Sequence, residues 1–346
     1  VAISVTADPD IKDDAITTSE DTPVTFNVLT GTGGATVDSF EGTPVVTSTT
    51  DPSNGTLVVN GNGEITYTPA GGFNGTDTFQ YTVTSPAGVT ETATVTLTVA
   101  GVNDAPENTV PGAQTTSEDT VLAIGGVSVS DTDSASLTTT LSVTNGTLSV
   151  AGGSGATVVG DGTASVSVSG TAAVINTALA GLAYTSVADY NGADTLNVSV
   201  NDQGNTGSGG AKTDSGTVAI SVSALNDAPI LTVPGNQSVD QGANLDITGI
   251  SISDADVGGS QLEVSASASH AQLSLAQTTG LTFTVGDGTG DTAMTFRGTL
   301  PNVNAALATL SYLADGGYDG SDTVNLSVSD LGNTGSGGIK TDSDAI

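Results

Sequence analysis

At 346 residues the chain exceeds what one β-sandwich needs and suits three units of about 100 residues each. Asp and Glu total 37 against 4 Lys and Arg, a formal charge of −33 that repels nucleic acid, anionic membranes and, without cations, the chain itself. There is no cysteine, which excludes disulfide and thiol chemistry, and no run of 18 apolar residues that would span a membrane as a helix. So acidic a composition alone would suggest disorder. Alternating Val, Ile, Leu and Thr, with a mean hydropathy of +0.09, point instead to strands with one buried face. Neither an initiator Met nor a signal-peptide pattern is present, as expected of a mature product or a fragment of something longer.

The first ten residues, VAISVTADPD, match VAISVSALND at 218–227. Residues 1–10 are therefore read as the final strand and exit linker of a preceding or neighbouring-chain domain. Domain 1 follows at 11–101, a linker at 102–106, domain 2 at 107–225 and a second linker at 226–229. Domain 3 occupies 230–346 and lacks its last strand. Two explanations stay open for this displaced strand. The chain is one period of a longer tandem array, or residues 1–8 complete the third domain of a neighbour by strand donation. Both predict head-to-tail continuation, with neighbouring repeats or identical chains as partners.

Domain 1 lacks an insert that the other two carry. It shares Ser19-Glu20-Asp21-Thr22 with Ser117-Glu118-Asp119-Thr120, and Phe73-Asn74-Gly75 with Tyr190-Asn191-Gly192. Its stretch Thr92–Val99 alternates with period two, as does Ala164–Ser169 in domain 2. Asn-Gly and Asp-Gly pairs at 54–55, 145–146 and 161–162 supply hairpin turns. The insert runs from Val174 to Tyr184, and again from Val303 to Tyr312, with Ala and Leu at helical spacing. GNTGSGG occupies 204–210 and 332–338, each followed by Lys-Thr-Asp-Ser. The expected class is all-β: tandem Greek-key sandwiches, with a short helical insert in the second and third domains.

Placing the motifs on a seven-strand Greek key brings acids together at two junctions. The first gathers Glu20 and Asp77 from below, Asn103 and Asp104 from the linker, and Asp131, Asp133 and Asp202 from above. The second gathers Glu118, Asp194, Asn226, Asp227, Asp254, Asp256 and Asp330. Two like charges about 4 Å apart cost ~4 kcal/mol at an effective dielectric of 20, so such clusters call for a cation. Calcium accepts 6–8 oxygens in tolerant geometry and suits mixed carboxylate, amide and carbonyl ligands better than Mg²⁺. The competing reading is that Asp, Asn and Gly are good turn formers on a solvated acidic surface.

On these motifs the chain resembles the cadherin-like tandem repeats of large bacterial surface adhesins. Its second and third domains resemble the subtype related to chondroitin-sulfate-proteoglycan repeats. The resemblance implies interdomain calcium held by an early Glu, an acidic E–F turn, an Asn-Asp linker, an Asp-x-Asp turn and an Asp before Gly in the F–G turn. The fourteen residues above match those places. It also implies a secreted or bacterial cell-surface location and a mechanical role in an adhesin stalk, filament or biofilm. Departures are clear: Val28–Gly33 contains no Asp-x-Asp, Thr84–Gly88 contains no Asp, and Gln241 stands where domain 2 has Glu118. The exit strand ends Asp8-Pro9-Asp10, so a junction between a third domain and a following first domain is poorly stocked.

Other chemistry finds little support. His270 is the only histidine and has no Cys or second His to complete a zinc site or triad. Without Trp, and with few aromatics, the chain offers no obvious sugar platform. Lys212 and Lys340 occupy equivalent loops, too exposed for an intramolecular Lys–Asn crosslink. Asn-x-Ser/Thr sequences such as 54–56 read as turns. The expectation is a non-catalytic, calcium-rigidified rod. The alternatives are a glycan- or protein-binding adhesin module and a strand-donating filament subunit. Any surface or glycan ligand is placed outside this segment.

Overall fold

The computed structural model describes residues 10–40 and 42–346. The strand expected at residues 1–8 lies outside the described residues. Three β-sandwiches follow one another, each around its own hydrophobic cluster. In strand Thr90–Ala100 the sequence TETATVTLTVA sends Ala93, Val95, Leu97 and Val99 inward and the threonines out. That period of two is what a sheet with one buried face requires.

In the first sandwich one sheet has the order Asp14–Ser19, Thr90–Ala100, Gly75–Thr84, Val45–Thr49. The facing sheet is Val24–Asn27, Glu64–Pro69, Gly55–Val59. Asp14–Ser19 runs parallel to Val95–Ala100 and closes the edge. The second sandwich repeats the plan with a larger sheet of six strands, closed by Gln114–Ser117 parallel to Ile220–Ser223. In the third the larger sheet has five strands, ending on Asn325–Ser329 and Thr341–Ala345.

Helices α1 (Ala172–Leu179) and α2 (Leu300–Leu307) cap the second and third cores. They start before the expected Val174 and Val303 because Thr171 and Thr299 hold extended backbone at the N-cap positions. They also end sooner than expected, so that Tyr184 and Tyr312 fall on strands Ala183–Ser186 and Leu310–Ala314. Eight residues are too few for a stable isolated helix, so packing holds them. Ile175, Ala178 and Leu179 are buried, as are Val303, Ala306 and Leu307. Asn176 also exchanges two backbone hydrogen bonds with Val129, and Asn304 does the same with Ile252.

Candidate metal centres at the domain junctions

Four of the acids expected among the ligands are each held by several hydrogen-bond donors. Asp77 accepts the backbone N–H groups of Ser53, Asn54 and Thr78 and the Tyr67 hydroxyl at 3.0 Å. Asp194 does the same with Thr144, Asn145, Thr195 and Tyr184. These carboxylates latch the turn of their own sandwich, and both oxygens are occupied. Asp202 accepts from Gly204 and Lys212 N–H on Oδ1 and from Asn103 Nδ2 on Oδ2, at 2.6 Å. Burial would raise its pKa, but the Lys212, Asn103 and Gly204 donors outweigh that and lower it. Asp330 is held in the same way by Gly332, Lys340 and Asn226. At all four of these acids, backbone N–H groups, with a tyrosine hydroxyl or an Asn amide, already offset part of the charge.

The Asn-Asp linker is clasped by the GNTGSGG loop of the downstream domain. Asn103 N–H donates to Ser208 O, Ser208 N–H donates to Gly101 O, and Asn103 Nδ2 also reaches Gly210 O. Thr206 Oγ1 donates to Asn103 Oδ1 at 3.1 Å and to Asp133 Oδ2 at 3.0 Å. Gly207, at φ +60°, comes so near that an added Cβ would lie 2.7 Å from Asn103 N. The second junction copies the clasp with Asn226, Thr334, Gly335 and Ser336. This role of the repeated loop was not legible in sequence, because its partner lies about a hundred residues away.

What the clasp leaves over is oxygen without a donor. Asp131 Oδ1 caps its own turn through Asp133 and Ser134 N–H, while Asp131 Oδ2 and Asp133 Oδ1 are buried with no partner. At the second junction Asp227 Oδ2, Asp254 Oδ2 and Asp256 Oδ1 are buried with no partner. Burial pushes Asp131 up, and burial reinforced by the Asp256 contact pushes Asp254 up to about 6. A buried unpaired carboxylate costs free energy unless it is protonated or meets a cation. Glu20 and Glu118 close the sets from below. Glu20 Oε1 accepts the Val102 N–H, and Glu118 Oε1 accepts the Leu225 N–H at 2.6 Å.

Two residues that sequence reasoning missed join the second set. Asp119, Asp189 and Asp227 each place a carboxylate oxygen within 4.8 Å of the others. Burial raises the pKa of Asp227, and the charges of Asp189, Asp119, Asp256 and Glu118 raise it further. Asp119 and Asp189 sit at φ +56° and +59°, turn positions that Asp tolerates better than most residues. Directly following Glu118 was the one signal available for Asp119. At the first junction Asp131 and Asp133 keep buried oxygens without a partner, and Glu20 meets Val102 N–H on Oε1 and Asn74 Nδ2 on Oε2. At the second, Asp227, Asp254 and Asp256 keep such oxygens, Glu118 meets Leu225 N–H and Asn191 Nδ2, and Asp119 and Asp189 stand beside Asp227.

The fold defines the class: this is a tandem array of β-sandwich repeats of the immunoglobulin and cadherin-like kind. The family model described as Bacterial Ig domain matches residues 7–98, the first of the three units. No curated protein matches the chain. Among solved structures, human CDH23 EC21-23 is 13% identical, with 96% of this chain and 97% of that chain covered and a TM-score of 0.44. Mouse Cadherin-23 EC22-24 is 16% identical, with 97% and 94% covered and a TM-score of 0.39.

Proposed function

We propose that the chain is a non-catalytic structural segment of an extracellular, bacterial surface protein, in which calcium at the two junctions stiffens a rod of repeats. The observation that carries this reading is the set of buried, partnerless carboxylate oxygens on Asp131, Asp133, Asp227, Asp254 and Asp256. Oxygen-only sites of mixed depth suit a hard divalent ion, which would supply positive charge and bind several oxygens at once. The clasp sets the linker beside the downstream domain. The ion would then hold the upstream Glu20 or Glu118 turn against the same linker and so fix the interdomain angle. An ion that binds only the aligned state stabilises it by mass action. Neighbouring repeats are the direct partners on this reading, and any adhesive ligand lies elsewhere.

Small-angle X-ray scattering in millimolar calcium and then in chelator tests it. Chelation is expected to shorten the maximum dimension and raise flexibility. An unchanged profile would mean that packing alone rigidifies the linkers, and the calcium role would fall.

A further inference from the structure

The first sandwich carries two acids that belong to neither junction. Asp14 opens strand Asp14–Ser19 on the inward face of its alternation and is 3% exposed, as deep as the residues of its core. Its Oδ1 accepts Thr36 N–H at 2.6 Å, and its Oδ2 is buried with no partner among the described residues. Asp38 comes from the segment that follows strand Val24–Asn27 and lies close enough for its charge to act on Asp14. Asp38 Oδ1 accepts Lys12 N–H at 2.9 Å, and its Oδ2 accepts the hydroxyl of the buried Tyr81 at 3.0 Å. That hydroxyl also reaches Lys12 O at 3.3 Å. The pair thus offers four carboxylate oxygens to three neutral donors, and the oxygen left over is a buried one. Among the described residues the one ion pair is Arg297 with Glu263, so no cationic side chain lies against either acid. Burial raises both carboxyls above their ordinary value. The neighbouring acids are engaged: Asp13 accepts Thr94 N–H, and Glu91 accepts the N–H groups of Asp10 and Ile11. The other sandwiches place Gly112 and Gly235 where Asp14 stands, and Val198 and Leu326 where Tyr81 stands. They build the same sheet without these polar groups, so the fold itself does not require them.

We propose that Asp14 and Asp38, joined by the Lys12 carbonyl and the Tyr81 hydroxyl oxygen, form a calcium site internal to the first sandwich. Two carboxylates balance the charge of one divalent ion, and the partnerless Asp14 Oδ2 gains the positive charge that its surroundings lack. Calcium accepts about 6–8 oxygens in tolerant geometry, so water entering beside the half-buried Asp38 completes the shell. The set holds neither nitrogen nor sulfur, which selects a hard ion, and Mg²⁺ asks for a stricter octahedron. The ion would fasten the segment at 28–40, which carries Asp38, to strand Asp14–Ser19. Without it that segment is tied to the start of the sandwich by Thr36 N–H on Asp14, Lys12 N–H on Asp38 and Ser39 N–H on Asp10 O. Asp14 lies about 20 Å along its strand from the position of Glu20, so the inference stands apart from calcium at the junctions.

Two measurements on the full chain test it. Terbium takes the place of calcium at oxygen sites and emits when a tyrosine beside it is excited, and the chain has no Trp to confuse the signal. Titrated terbium should give emission that calcium displaces, with a component that Tyr81→Phe removes and Glu20→Gln leaves intact. Asp14→Asn and Asp38→Asn should each weaken calcium at that component at least tenfold. Thermal unfolding at pH 7 gives the second reading. In chelator Asp14→Asn should be more stable than the wild type, and in millimolar calcium the order should reverse. Emission unchanged by Tyr81→Phe, or an equal calcium shift in the wild type and both Asn variants, overturns the site. A stability difference that follows pH and ignores calcium assigns the pair a shared proton in place of the ion, and overturns it as well. Asp38 is half-buried, so Asp38→Asn keeps the test valid if Asp14→Asn misfolds.

Discussion

At the first junction the turn ahead of Phe73 reads Ala70-Gly71-Gly72; at the second the same turn, ahead of Tyr190, reads Val187-Ala188-Asp189. Gly72 and Asp189 share a left-handed backbone, φ +67° and +59°, so the fold does not distinguish them. Their chemistry differs. Gly72 N–H donates to Asp21 Oδ1 at 3.2 Å and so occupies the acid of its own junction. Asp189 instead adds a third carboxylate beside Asp119 and Asp227. The clasp around Asn103 is reproduced almost bond for bond around Asn226. The two joints therefore share their mechanical scaffold and differ in stored negative charge. The second should be the more repulsive without a cation and the tighter with one.

Exchanging that residue is the strongest way to break the comparison. An ion present at about a hundred times its dissociation constant contributes ~2.7 kcal/mol to the state it binds. Asp189→Gly is expected to weaken calcium at the second junction more than tenfold, and Gly72→Asp to strengthen the first by a similar factor. A Cβ on Gly72 would meet only Thr132 Cγ2, at 3.8 Å, so the gain variant fits. Isothermal titration resolves the two sites. Equal affinities in the wild type, or no response to either exchange, would remove the distinction between the joints.

How much of this could be read from the chain depends on whether a partner is local. Asp131 caps its own turn by accepting the N–H groups of Asp133 and Ser134, so Asp-x-Asp announces itself. The hydroxyl that Asp77 accepts comes into view only once Tyr67 is placed on the facing strand. The Tyr–Asp spacing of ten residues recurs at Tyr184–Asp194 and Tyr312–Asp322, and that recurrence was the available clue. Asp119 and Asp189 were hidden because exposed turn acids all look alike without a backbone conformation. The helical inserts were legible by period. Their limits were not, since threonine N-caps and the following strand decide them.

A smaller effect separates the first domain from the other two. Asp14 is buried, its Oδ1 accepts Thr36 N–H at 2.6 Å and its Oδ2 has no partner among the described residues. Gly112 and Gly235 stand at the aligned positions of the other domains. Burial, with Asp38 adding to it, pushes Asp14 up to about 6 from the ordinary 3.8. The folded state therefore binds the proton more tightly than the unfolded one. Its contribution is greatest below about pH 4 and is lost as pH rises through about 6. Asp14→Asn should flatten that part of the pH profile and leave the wild type less stable than the variant at pH 7, by about 1–3 kcal/mol. Thermal unfolding of both proteins between pH 4 and 8 reads the difference. A parallel pair of curves would show that Asp14 stays charged in the folded domain.

The smallest effect ranks the three latches against one another. Each tyrosine hydroxyl donates to a turn carboxylate, at 3.0, 3.0 and 2.9 Å, so distance does not separate them. Surroundings do. Burial, then the paired aspartate, raises all three hydroxyls above the usual phenol range, Tyr312 to about 12. Tyr312 borders a groove lined also by Val239, Leu245 and Ile247, and water there can replace the lost hydroxyl. The carboxylate it serves is also well supplied. Burial would raise Asp322, but the His270 N–H and further donors outweigh it and keep its pKa low. Tyr67→Phe and Tyr184→Phe are each expected to cost about 1 kcal/mol, and Tyr312→Phe measurably less. Chemical denaturation followed domain by domain gives the order.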